Sequence, residues 1–191
     1  RTGYTTHFHG VYAFIRGLWA TIERLRRRQT GSDIVQLALR MRGSESSTLN
    51  FVPVDYVTQA MVAIGRQPSS AGSTYHLANP EGTENRLWLD IVCDQLRVKG
   101  IHIVDERVFE DVPMTKMETF FQRQMSFYYQ YLNSEPRFDC SNAIKALSNT
   151  GIACPEVTAK FARKMTGWYI DLLNRKISGT SNSRGNWATL L

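Results

Sequence analysis

The chain has 191 residues, enough for one domain with a core of its own, and its 42% hydrophobic and 21% charged content excludes a disordered polymer. No run of eighteen apolar residues is present and no basic stretch leads into an apolar core, which excludes a membrane-spanning segment and a recognisable signal peptide. The net charge of +6 raises nucleic acid as a partner. However, zinc-finger spacing, an aromatic RNA-binding motif and a helix-turn-helix signature are all missing, so neither nucleic acid nor a membrane is expected as a partner.

In chain order, the segment from Arg1 to Gly10 carries His7 and His9 on either side of Phe8. Two imidazoles on one side of an extended segment fall short of a metal site, because no carboxylate or thiol nearby adds a third ligand. No metal is expected. Val11 to Arg28 reads as a helix with Val11, Phe14, Ile15, Leu18, Trp19, Ile22 and Leu25 on one face. Its end carries the densest positive charge of the chain, Arg24, Arg26, Arg27 and Arg28, which suits a helix C-terminus and also an acidic protein partner. Gly31-Ser32-Asp33 breaks the helix, Ile34 to Met41 is apolar without a decisive period, and Gly43 to Ser47 is a polar loop.

Phe51-Val52-Pro53-Val54-Asp55-Tyr56-Val57 then predicts a strand running into a helix, with Tyr56, Val57, Ala60, Met61 and Ile64 a turn apart and Gly65 as the stop. Ser73 to Leu77 predicts a short strand that ends in the turn Asn79-Pro80, with His76 as a core histidine. Leu87 to Val98 predicts a helix closed by Gly100, and Ile101 to Val104 a strand whose His102 faces solvent. From Pro113 a further helix carries Met114, Met117, Phe120, Phe121, Met125 and Tyr128 at helical spacing. Such a stripe reads as core or as the wall of an apolar channel. A short helix over 142–147 and a final helix over 157–173, with Phe161, Met165, Trp168, Tyr169 and Leu172 on one side, complete the domain at about residue 177. Residues 178–191 read as a loose tail. Cys93, Cys140 and Cys154 lack pairing or metal-like spacing and read as reduced thiols of a cytoplasmic protein.

The order and spacing of Val-Pro-Val-Asp-Tyr (52–56), Tyr-His-Leu-Ala-Asn-Pro (75–80), Pro136 to Asn142 and Thr150 to Pro155 resemble the later part of extended short-chain reductases, specifically the thioester reductases related to fatty acyl reductases. Arg1-Thr2-Gly3-Tyr4 resembles that family's Arg-Pro-Gly segment, with Thr2 where proline is usual. The resemblance implies an α+β, helix-dominated fold: the C-terminal, substrate-binding part of an extended Rossmann-type reductase. Such an enzyme uses NADPH or NADH to reduce an acyl or peptidyl chain held on a carrier protein, releasing an aldehyde or alcohol.

By the same resemblance, Gly3 and Tyr4 would border the nicotinamide, and His7, His9, Met117, Phe120, Phe121 and Met125 the substrate. The four arginines at 24 and 26–28 would face an acidic carrier. The catalytic machinery itself is missing from these residues. A Gly-rich strand-to-helix turn is needed to bring backbone amides onto a pyrophosphate, and none occurs. No tyrosine has a lysine four positions on: Tyr12, Tyr56, Tyr75 and Tyr128 are followed at that distance by Arg16, Ala60, Asn79 and Leu132. The isolated chain is therefore expected to bind no cofactor and to be inactive, its missing partner being the N-terminal nucleotide-binding domain. The alternatives are the C-terminal lobe of a nucleotide-sugar epimerase or dehydratase, and a non-catalytic carrier-binding module.

Overall fold

A computed structural model of the chain describes residues 8, 10–28, 31–132 and 137–180, apart from the side chains of 124, 127–131 and 176–180. The elements in order are α1 (Val11–Arg26), β1 (Val35–Arg42), β2 (Thr48–Leu49), α2 (Val54–Gly65), β3 (Thr83–Glu84), α3 (Asn85–Leu96), β4 (Val98–Val104), α4 (Glu106–Asp111), α5 (Lys116–Leu132), α6 (Ser141–Leu147) and α7 (Ala159–Thr180). The result is a helix-rich α+β fold around a small parallel sheet.

The run over 34–41 that had no decisive period is strand β1. Its burial alternates along the chain, with Val35, Leu37, Leu39 and Met41 turned into the core. β1 pairs in parallel with β4 from Val35↔Val98 to Arg42↔Val104. Parallel partners need a long crossover, and here everything from β2 to α3 lies between them. Four helices cover the inner face of this pair. Phe14, Ile15, Leu18 and Ile22 of α1, Trp88, Leu89 and Val92 of α3, Phe121 and Met125 of α5, and Tyr169, Ile170 and Leu173 of α7 form one buried cluster with the strands. The inward stripe of α7 thus includes Tyr169, as its periodicity predicts, but Phe161, Met165, Trp168 and Leu172 are only half-buried. The helix also continues past residue 177 to Thr180.

A smaller second core joins α2 to α6 through Tyr56, Ala60, Ile64 and Leu147, with Tyr75, Leu77 and Cys154 packed against it. The flanks of α2 differ from the expected strands, because residues 51–53 and 73–79 form no ladder. Side chains hold them instead. Asn50 Nδ2 donates to Asn79 O at 2.7 Å, Asn79 N donates to Asn50 Oδ1 at 3.0 Å, and Asn79 Nδ2 donates to Phe51 O at 3.2 Å. Two amide side chains therefore supply the pairing that Pro53 and Pro80, lacking N–H groups, cannot extend into a sheet. His76 is exposed rather than in the core; its Nδ1 lies 3.1 Å from Asp139 O and its ring meets Phe138 edge-on. His102 is exposed, as the alternation of its strand predicts.

Gly100 does not close α3. That helix ends at Arg97, whose φ of +51° makes the left-handed turn, while Arg97 O accepts from Val35 N at 2.9 Å and so launches β4 directly beside β1. Gly100 lies inside β4 at φ +90°, where the register slips between Gln36 and Leu39. A Cβ there would lie 2.9 Å from Leu37 O. Gly100→Ala is therefore expected to destabilise the chain by about 1–3 kcal/mol, read as a lower urea midpoint at unchanged m-value.

Candidate substrate and docking face

The stripe on α5 begins at a helix start that the sequence carries in Thr115-Lys116-Met117-Glu118 rather than at Pro113. Glu118 N donates to Thr115 Oγ1 at 3.1 Å, and Thr115 N donates back to Glu118 Oε2 at 2.8 Å, a reciprocal capping box. The same carboxylate reaches across to the open edge of β1. Its Oε1 accepts from Arg40 N at 3.0 Å and from Arg40 Nε at 2.8 Å, while Arg40 Nη2 reaches Oε2 at 3.1 Å. Arg40 Nη2 also donates to Val112 O and Pro113 O. Glu118 is only 3% exposed. Its charge persists there because the Arg40 guanidinium, aided by the Thr115 and Arg40 backbone amides, holds the carboxyl well below its usual range, down to about 2. Arg40 and Arg42 each hold their guanidinium carbon 5.3 Å from the ring centroid of buried Phe109 on α4, a helix without a sequence signature of its own.

This clasp fixes how the stripe is presented. Phe121 (2% exposed) and Met125 (3%) point into the core, where Phe121 meets Phe14 edge-on at 6.0 Å. Met117 is half-buried against that core. Phe120 and Met114 face outward at 44% and 45% exposure, and Val108 and Val112 are exposed on the preceding turns. Five of the six stripe residues thus divide into an inner pair, a rim and an outer apolar edge. Tyr128 belongs to the part of α5 whose side chains are not described.

The arginine cluster divides as well. Arg26 is committed to the fold: it pairs with Glu23, and its Nη2 donates to Leu96 O at 2.8 Å. With Arg97, Trp19, Gln95 and Asn174 it borders an open hollow of about 290 Å³. Arg24, Arg27 and Arg28 are exposed at the surface beside it. Gly3, Tyr4, His7 and His9 lie outside the described residues; Phe8, between the two histidines, stacks on Tyr169 at 5.0 Å and on Trp168 at 6.4 Å.

Three phenols and one thiol are held towards their neutral forms by burial. Burial pushes the phenols of Tyr12, Tyr56 and Tyr169 up, and the Cys93 thiol up to about 12. A proton-donating tyrosine of a reductase needs the opposite shift. Among the described residues there is no group of three or more metal-ligating side chains, and no helix is long and apolar enough to cross a membrane.

No protein-family model and no curated protein matches the sequence. Solved structures do match. The terminal R domain from the myxalamid PKS-NRPS biosynthetic pathway superimposes with a TM-score of 0.58 at 22% identity, over 92% of this chain and 41% of that one. A thiolation-reductase di-domain from an archaeal non-ribosomal peptide synthetase gives 0.59 at 16% identity, over 91% of this chain and 34% of that one. The chain thus spans well under half the length of either structure. Its fold is that of the C-terminal part of terminal reductase domains.

Proposed function

We propose that this chain is the C-terminal, substrate-side portion of a cytoplasmic NAD(P)H-dependent thioester reductase, whose Gly-rich nucleotide-binding half and Tyr-x-x-x-Lys pair belong to another part of the polypeptide. The observation that carries the reading is the fold shared with two terminal reductase domains over nine-tenths of this chain. The ordered motifs from Val52 to Pro155 support it. NADPH or NADH, bound by the intact enzyme, supplies the hydride that converts a carrier-bound acyl or peptidyl thioester to an aldehyde or alcohol.

This chain's residues shape and receive the substrate. Phe120 and Met117 line the acyl path, Phe121 and Met125 form the packed floor beneath them, and His7 and His9 border its entrance. Gly3 and Tyr4 sit at the nicotinamide edge. The exposed arginines at the end of α1 meet the acidic carrier, where they speed encounter and orient the arm.

In the longer polypeptide, NADPH oxidation should require an acyl thioester. Arg24→Glu with Arg28→Glu should raise KM several-fold for the carrier-bound thioester, most at low salt where charges are least screened, and leave a free pantetheine thioester unaffected. Arg26 is spared in this design because of its bonds to Glu23 and Leu96. An absence of thioester-dependent oxidation overturns the reading. Equal effects on both substrates would remove the cluster from the docking face.

A further inference from the structure

Helix α2 is apolar nearly all round. Its inner face, Tyr56, Ala60 and Ile64, packs on α6. Its outer face carries Val54 at 72% exposure, Met61 at 61% and Val62 at 49%. Thr58 lies between them on that face with its hydroxyl turned back to Val54 O at 2.9 Å, and the exposed polar side chains of Asp55 and Gln59 border it. Asp55, in the first turn, is the only charged residue of the helix. The solvent face of a surface helix is normally charged, and a helix apolar on both sides is one that is covered on both sides. α3 makes the contrast, with Arg86, Asp90 and Asp94 on its outer side.

We propose that the outer face of α2, centred on Met61, is the surface on which the nucleotide-binding half of the same polypeptide docks; this rests on the reading of the chain as the C-terminal portion of a longer reductase. Two considerations select that occupant. An acidic carrier would meet Asp55 at the start of this face and a single basic residue, the exposed Arg66, at its end. A second copy of this chain would find three apolar side chains per partner, far short of the roughly 800 Å² per partner that a stable dimer buries. A tethered half has an effective concentration in the millimolar range, so a patch of this size suffices to hold it. The structures sharing this fold also contain more than half their length beyond the matched region.

Methionine oxidation by dilute peroxide reads the coverage directly, because the rate follows exposure. In the 191-residue chain, Met61 should oxidise at a rate comparable with Met114, while buried Met41 and Met125 stay protected. In the longer polypeptide, Met61 should slow by about ten-fold or more relative to an unfolded reference. Met61→Asp should leave the melting temperature of the 191-residue chain unchanged and lower NADPH-dependent turnover of the longer enzyme. Equal Met61 rates in the two proteins would overturn the proposal, as would light scattering that shows the 191-residue chain to be a dimer dissolved by Met61→Asp. Failure of the functional reading looks different: Met61 would be protected in a longer polypeptide that oxidises no NADPH with thioester, and the docking assignment would stand without the enzymatic one.

Discussion

Phe121→Ala should lower the unfolding free energy of the chain by about 3–5 kcal/mol, and Phe121→Asp should leave it unfolded at room temperature. The ring is 2% exposed and packs against Phe14 of α1, so removing it opens a cavity that the strand pair and α1 cannot both close around. A loss of that size is a large part of the 5–15 kcal/mol that holds a domain folded. The adjacent Phe120 is 44% exposed, and Phe120→Asp should change stability by no more than about 0.5 kcal/mol. In the longer enzyme, if Phe120 lines the proposed acyl path, the same Phe120→Asp should cut turnover of acyl thioesters, because it would set a charge there. Thermal melts run beside thioester kinetics separate the two positions. A Phe121→Asp chain that melts like the wild type would refute the inner placement of that ring, and a Phe120→Asp enzyme with full turnover would take Phe120 out of the substrate path.

The second large effect is expected at Glu118. Its folded carboxyl titrates at about 2 against an ordinary 4.5, a depressed value. The unfolded chain therefore binds the proton first as pH falls. Stabilisation by this group is complete above about 4.5 and is lost as pH falls from there through about 2. Linkage sets its size at about 3 kcal/mol. At neutral pH, Glu118→Ala should cost about 3–5 kcal/mol, since it strands the Arg40 guanidinium and leaves the amides of Arg40 and Thr115 without their acceptor. Glu118→Gln keeps the shape and cannot titrate. Its urea midpoint should be lower than wild type at pH 7 and should fall less between pH 5 and pH 3. Parallel pH profiles for Glu118→Gln and wild type would show that another carboxylate carries the acid sensitivity.

These two residues also mark how far the chain can be read without its structure. The helical period of α5 announces a stripe, but period alone cannot say which side of a helix meets the core when apolar residues extend around it. Phe120 and Phe121 are neighbours in sequence and opposites in environment, because α1 packs on one side of α5 and no described element covers Phe120. Thr115-x-x-Glu118 has the spacing of a capping box, although the periodicity sets the helix start at Pro113. That the same glutamate closes the edge of a strand 78 residues away is not legible in the sequence, since Arg40 has no local feature that names its partner.

What the sequence alone determined is what short-range physics determines. Periods of 3.6 residues mark α1, α2, α3, α5 and α7, because one face of each must leave water. No Gly-rich turn and no Tyr-x-x-x-Lys pair occurs among these residues, and the ordered motifs carry the resemblance to thioester reductases that the shared fold supports. Tertiary structure decided everything that rests on distant partners. It made a strand of 35–42 by setting β4 beside it, gave the pairing across α2 to Asn50 and Asn79 instead of two strands, and turned Arg26 from surface charge to a ligand of Leu96 O. It also left the outer face of α2 uncovered. The reason is the same in each case: a backbone amide, a guanidinium or an apolar face has a fixed demand for a partner, and only the folded chain decides which distant group meets it.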